Sequence, residues 1–554
     1  MKAAPTLLLG WIWITAALQS FAAEVDPNSG CPPDDPAAHR QRPGEESPQR
    51  LQPEDCDPTR LPTPTTSPLS GSIPVDRWRI VDSLGHPANL TDPYNTNNVL
   101  KGDRPIWGKD GFSVLTVSTT SLFESRRVAA RQFFNSQTAS VDAVLYEGDT
   151  IFRPPDYQLR LTPIFNYSST STSGAATTTT TSVGAQALFF EKHLRDVSAH
   201  YDFDSLRIGI QPVTSDFRGF VLADQPAGIR LFGTRDNNLY QYSLGWFRRL
   251  PKNPARQNEL GAGIPANDVV MGNLYIQDLG WKGLNSEAVF IYDRSRAAGT
   301  RVTVQNGTPA FASGARHDYD VVYLGYSVDG HIGTFNLTGS AYEVLGREAE
   351  GVFTGTLSKV QATFAAVELS RDFDWIRIRA SGLYASGDGD PTDGSSHGFD
   401  GINQTAIFAG TDSTFFIHQR VALVANAIDL KQRDSLFPSL RSTSDTGESN
   451  FTNPGLELLG IGADLDLMPS LRVSMDVSHI LFANTAPLVA ILGRSDISNT
   501  VGTDASLDAI YRPFISQNII ARLSLAKLFA SAAARPLVGS SAPFSLFFNL
   551  VLTY

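Results

Sequence analysis

The chain ends in the stretch Phe544-Ser-Leu-Phe-Phe-Asn-Leu-Val-Leu-Thr-Tyr554. Phe544, Leu546, Phe548, Leu550, Leu552 and Tyr554 occupy every second position, with Ser545, Asn549 and Thr553 among the residues between them. Successive side chains of a β-strand point to opposite faces, so this strand has one apolar face and one largely polar face.

The same alternation recurs upstream. Leu206, Ile208 and Ile210 alternate with Arg207, Gly209 and Gln211, and Ile376, Ile378 and Ala380 alternate with Arg377, Arg379 and Ser381. Leu471, Val473, Met475 and Val477 alternate with Arg472, Ser474, Asp476 and Ser478, while Ile519, Ala521, Leu523 and Leu525 alternate with Ile520, Arg522, Ser524 and Ala526. A soluble β-protein rarely places arginine on the buried face of strand after strand. Lipid outside and a wet lumen inside account for it directly. The fold class expected is therefore all-β: a transmembrane antiparallel β-barrel over 111–554, of about 18 strands within a range of roughly 16 to 20.

Connections give a second test. Asp329-Gly330, Asp372-Phe373-Asp374, Met468-Pro469-Ser470 and the turn around Arg512-Pro513 read as tight turns, and all fall on the side of Tyr554 when strands are counted back from it. Long polar stretches, Ala385 to Gln404 and Gln432 to Pro454, fall on the other side, as do the residues Ser168 to Ser182, read as a flexible extracellular insertion. Trp375, Tyr511 and Tyr554 would then form an aromatic girdle at the periplasmic interface.

The N-terminus has the form of a secretory signal over residues 1–22, with Lys2, an apolar run from Leu7 to Leu18 and small residues near Ala22. The run is too short to span a bilayer. Residues 23–74 are rich in Pro, Asp and Ser and read as a disordered periplasmic leader. The segment 75–110, with Trp78, Tyr94 and Trp107, is either a short plug or a lead-in to the first strand. The net charge of -11 argues against a nucleic-acid partner, which would call for clustered basic surface. Charged residues are 18% and aromatics 10%, with a mean hydropathy of -0.13, which suits strands wetted on one face only. Cys31 and Cys56 lie in the leader, without a histidine cluster or a haem-attachment motif, so no cofactor is expected.

The polar faces nominate an aqueous path. Arg160, Arg207, Arg377, Arg379 and Arg522, with Glu368, Asp464 and Asp476, would line it and set its ion preference. Asp466 and Arg472 would face each other across the turn at Pro469, where opposed charges also stabilise the wall. The loop carrying Asp216 and Arg218 is a candidate to fold inward and narrow the path. Asp388, Asp390 and Asp393 could turn toward one cation, although the EF-hand spacing is missed and an acidic external loop is the simpler reading. The scattered histidines suggest neither a zinc site nor a catalytic dyad, so no enzyme is expected.

A terminal amphipathic strand with a final aromatic resembles the signal by which the barrel-assembly machinery recognises outer-membrane proteins. The run Ser386-Gly-Asp-Gly-Asp-Pro-Thr-Asp-Gly394, followed by Gly398-Phe-Asp400, resembles a loop of the alginate-export family. Asp92 to Gly108, Ser215 to Phe220, Arg230 to Thr234, Ser435 to Ser442 and Asn450 to Gly455 resemble a broader set of uncharacterised outer-membrane barrels. The alginate exporters imply a basic lumen for anions, whereas the lumen set here mixes signs. The expectation is an outer-membrane pore, among lipid and lipopolysaccharide, for diffusion or export of hydrophilic solutes, with anions among the candidates. The alternative is a structural sheath around a cytochrome. A TonB-dependent transporter would need a plug domain longer than the ordered region before Gly111.

Overall fold

The computed structural model describes residues 87–554, apart from 93, 96, 129, 149–153, 199–201, 254, 297, 306–307, 425–427, 442–447, 533 and 539–542. The signal and leader read over 1–22 and 23–74, and the first part of 75–110, lie outside the described residues.

Eighteen wall strands form in the period-two segments. They are β1 (Gly111–Arg127), β2 (Arg131–Glu147), β3 (Tyr157–Thr172), β4 (Thr178–Asp196), β5 (Phe203–Ile210) and β6 (Ala227–Arg235). Then come β7 (Tyr240–Arg248), β8 (Asn267–Ile276), β9 (Leu284–Ser295), β10 (Tyr319–Ile332), β11 (Phe335–Glu348) and β12 (Ser358–Phe373). The last are β13 (Ile376–Ala385), β14 (Leu456–Met468), β15 (Leu471–Leu481), β16 (Thr500–Tyr511), β17 (Ile519–Ala530) and β18 (Phe544–Thr553). Each pairs antiparallel with its chain neighbours, and β1 closes on β18, from Ser118 opposite Thr553 to Arg127 opposite Phe544. Closure leaves no strand edge exposed to lipid.

The apolar set of every strand quoted above faces outward. On β14, Leu459 and Ile461 are 69% and 67% exposed, which water would not tolerate in so continuous a band but a bilayer does. The protein is therefore an outer-membrane β-barrel. Two-residue turns at 333–334, 374–375 and 469–470 share one end with the 512–518 turn, and the long connections 211–226, 249–266, 296–318, 386–455 and 482–499 share the other. By the barrel rule the long-connection end is extracellular.

Two details of the sequence reading are corrected. Asp329-Gly330 is not a turn: Asp329 pairs with Thr338, and the chain reverses at Gly333, whose φ is 61°. Gly330 is required for another reason, since a Cβ there would lie 2.0 Å from the carbonyl oxygen of Gly283. The tract Ser168–Ser182 is mostly wall rather than insertion, because Thr170 pairs with Thr178 and only 173–177 turn. Threonine favours a pleated strand, and its run here extends β3 and β4 upward.

Residues 97–104 pack at the foot of β1, below the point where β18 ends. The Leu115 amide donates to Leu100 O at 2.7 Å, and Lys101 Nζ donates to Leu115 O at 2.8 Å. Lys101 also lies 4.3 Å from the ring centre of Tyr554, whose hydroxyl accepts from Asn98 Nδ2 at 3.1 Å.

The upper interior is filled by the chain itself. The connection 386–455 carries Phe399, Phe415, Phe416, Phe437 and Phe451, too apolar for a solvated loop, and all five are buried. Phe399 stacks on the wall residue Phe364 at 4.8 Å, and Phe437 meets both rings at 5.1 and 5.6 Å. Phe220, from the 211–226 connection, joins Phe364 at 5.0 Å. Each such aromatic pair stabilises by about 0.5–1.5 kcal/mol beyond the burial of its area. Both connections are thereby held against the lumen face of one wall.

Candidate functional site

The lumen wall is a set of ion pairs between neighbouring strands. On β3, Arg160 meets Asp142 of β2 at 2.8 Å, and the same carboxylate accepts from Thr162. Arg207 pairs with Glu191, both nearly dry, under the ring of Phe189. Arg377 binds Asp372, and Arg472 binds Asp466 at 2.6 Å, in the register expected across Pro469. Arg379 bridges Asp464 at 3.2 Å and Asp476 at 2.8 Å. Arg522 meets Asp508 at 2.7 Å. Glu368 accepts from Ser381 at 2.8 Å and lies 3.6 Å from Arg218. All ten residues nominated from the alternation thus lie on the inner face, and each has an opposite charge within reach. The carboxylates Asp142, Glu191 and Asp508 were missed: Glu191 stands directly opposite Arg207, whereas Arg160 and Arg522 stand opposite Val144 and Ile510 and reach Asp142 and Asp508 diagonally.

Height divides these pairs. Near the short turns, Arg472 and Asp466 are 47% and 50% exposed, so the periplasmic half of the lumen is wet. Higher up, wall carboxylates turn to the inward connection instead. Asp504 accepts from the amides of Phe415 and Phe416, and Glu368 accepts from the Ala409 amide at 3.3 Å. The loop expected to narrow the path does lie inside the barrel. Asp216 is fully buried, accepting from the amides of Arg218 and Gly219 and from the Tyr342 hydroxyl at 2.7 Å. Arg218 reaches Thr338 Oγ1 at 2.8 Å and Ile407 O at 3.1 Å, joining the two inward connections to the wall.

At the extracellular end, between the tops of β1 to β4 and the inward connection, is a cavity of about 370 Å³. Arg126, Arg256, Arg420, Arg433 and Arg441 line it together with Asn403, Gln404 and threonines of β3 and β4, and among the described residues no carboxylate lines it. The carboxylates stand behind the guanidinium groups. Glu124 is shared by Arg126 and Arg433 at 3.3 Å each, Asp400 holds Arg441 at 2.8 Å, and Asp429 holds Arg420 at 2.8 Å. Arg256 is held by four oxygens, among them Gln404 O at 2.7 Å. Sequence reasoning missed this group because four of the five arginines lie on connections, where no periodicity marks which way they face.

His418 anchors the same region. Its Nδ1 is 2.8 Å from Asp434 and its Nε2 is 3.5 Å from Glu124 on β1, while its ring lies 5.1 Å from Phe547 on β18. Burial and Arg433 push this imidazole down, but Glu124 and Asp434 outweigh them and it ends above its ordinary value. Burial pushes Asp434 up, and His418 and Arg433 reverse that, leaving its carboxyl well below the usual range. In the 211–226 connection, burial of Asp224 is outweighed by Lys252 and Arg249, and its pKa falls to about 2.

The acidic run does not assemble a cation site. Asp388, Asp390 and Asp393 each accept from the amide two residues on, closing successive turns, and Asp388, the buried one, is pushed by that burial to about 6. Among the described residues no three His, Cys, Asp or Glu groups gather as metal ligands would.

No family is matched by this chain, and no curated protein is. The resemblance to the alginate exporters read from residues 386–400 therefore finds no support. Among the solved structures to which the chain is similar are three proteins of Pseudomonas aeruginosa. OccK5 (OpdH) gives a TM-score of 0.43 at 10% identity, covering 80% of this chain and 97% of that one. OccK9 (OpdG) gives 0.46 at 11%, covering 80% and 98%, and OccD3 (OpdP) gives 0.45 at 9%, covering 80% and 91%. Identities this low say nothing of substrate, and the strand count above comes from the register alone.

Proposed function

We propose that this protein is an outer-membrane channel for small hydrophilic solutes, with a preference for anions. The observation that carries the reading is the arginine-lined cavity at the extracellular end, whose guanidinium faces point inward and whose carboxylates stand behind them. Rings of arginine select anions by replacing part of their hydration. A solute held there would pass the inward connections 211–226 and 386–455 and then enter the wet periplasmic half among Arg377, Arg379 and Arg472. Those ten wall charges and the pair Asp216 and Arg218 are proposed as the path and its constriction. The segment 75–110 is proposed as a lead-in to β1, and the terminal strand as the element read by the assembly machinery.

The sheath reading is not favoured, because the upper lumen is packed with the chain's own phenylalanines and leaves no bore for a cytochrome. Conductance of the refolded chain in planar bilayers, with reversal potentials across a salt gradient, tests the channel reading. Discrete openings with anion preference are expected. A barrel that passes neither ions nor small carboxylates in vesicle-swelling assays would refute it.

A further inference from the structure

The outer face of the barrel carries a row of charges that the lumen does not explain. Arg248 of β7 stands opposite Asp268 of β8, Asp268 opposite Arg294 of β9, and Arg294 opposite Asp320 of β10. Asp320 in turn stands opposite Arg347 of β11, and Arg347 opposite Lys359 of β12. All six share the face of the lipid-facing residues and sit at the extracellular ends of their strands. Two positions further into the barrel wall come Trp246, Val270, Tyr292, Val322 and Leu345, with Gln361 below Lys359, so the first five members of the row top the apolar exterior.

Signs alternate along the first five members. Arg248 binds Asp268 at 2.7 Å, and Asp320 is held by Arg296 at 2.8 Å and Tyr292 at 2.8 Å, with Arg294 at 3.9 Å. The alternation breaks at its far end. Arg347 and Lys359 are both exposed, directly opposed, and alike in charge. Like charges in that arrangement destabilise an antiparallel pair unless an anion lies between them. The carboxylates nearby in the chain are engaged elsewhere: Glu348 faces inward to His317, Glu350 is bound to Arg301, and Glu343 accepts from Gln361.

We propose that Arg347 and Lys359 form a docking site for the phosphorylated headgroup of an outer-leaflet glycolipid, with Arg294 as a further cation along the row. The partner follows from charge and position. A phosphate supplies the missing anion, the acyl chains of the same molecule cover Leu345 and its neighbour Val322, and juxtamembrane cations gain on the order of 1 kcal/mol each from anionic lipid. This site does not depend on whether the lumen conducts.

Native mass spectrometry of the full barrel in detergent, titrated with diphosphorylated lipid A, tests it. Arg347→Gln with Lys359→Gln is expected to weaken binding about tenfold or more. A second variant, Lys359→Glu, completes the alternating row: its heat-induced unfolding should not fall, yet its lipid binding should drop as well. The proposal is overturned if lipid A stripped of phosphate binds equally well, if both variants bind as the parent does, or if inorganic phosphate at millimolar concentration displaces the lipid.

Discussion

Replacing Phe399 by alanine should open the lumen without opening the wall. The ring lies on the inward connection, fully buried, stacked on Phe364 at 4.8 Å and edge-on to Phe437 at 5.1 Å. Deleting a buried phenylalanine side chain costs about 3–5 kcal/mol, transfer and cavity together. None of the cost falls on the strand ladders, because Phe399 belongs to no wall strand. The loss is therefore borne by the equilibrium between the packed connection and a displaced one. At 1.4 kcal/mol per factor of ten, the displaced population rises by about a hundred- to a few thousand-fold. Single-channel recording should show correspondingly more frequent or longer openings, and limited proteolysis from the extracellular side should cut within 386–455. The heat-modified migration of the barrel should stay close to that of the parent. Unchanged openings together with a barrel that unfolds several kcal/mol more easily would refute the reasoning, since the connection would then be a pillar of the wall and not a constriction.

Acidity should tune the same element through His418. Its raised value means that the packed connection favours imidazolium, a contribution complete below the ordinary histidine pKa of about 6.5 and lost as pH rises through the higher folded value. Asp434, held below the usual range, contributes above its ordinary pKa and is lost only on strong acidification. Openings should thus be rarest between those limits, and His418→Gln should abolish the rise on the alkaline side. At the periplasmic mouth, Arg472→Ala breaks an exposed pair and should cost less than about 1 kcal/mol in stability while shifting the reversal potential toward cations; Asp466→Asn should shift it the opposite way. On the lipid face, Ile461→Arg should cost about 2–4 kcal/mol in folding into bilayers, read from urea titration, because a mid-strand cation there meets hydrocarbon.

The wall was legible in the sequence because a bilayer imposes period two without exception. Residues 471–478 and 544–554 state both faces outright, and Asp466 could be placed opposite Arg472 before any coordinates. The filling was not legible. Residues 385–404 and 432–454 are rich in Gly, Ser and Asp, and their local composition reads as solvated loop. What decides their place is a handful of phenylalanines separated by turns, whose common destination is Phe364, a wall residue distant in sequence. The arginines of the cavity were hidden for the same reason: Arg256 and Arg441 reach one space from different connections, and nothing in their local pattern says so. Gly330 misled because glycine marks both turns and close backbone approach, and only the neighbouring strand distinguishes them.

The contacts of His418 bear on how the barrel stays shut. One imidazole faces Glu124 on the first strand and Phe547 on the last, the two strands that meet at the seam. Gln419 adds a second hold on Glu124, and Arg433 a third. A barrel made of a single chain has one joint that sequence neighbours do not connect, and here that joint is clasped from within by a segment lying well away from both ends of the chain. Parting the seam sideways would have to unfasten the clasp first, so the contents of this vessel keep the container closed.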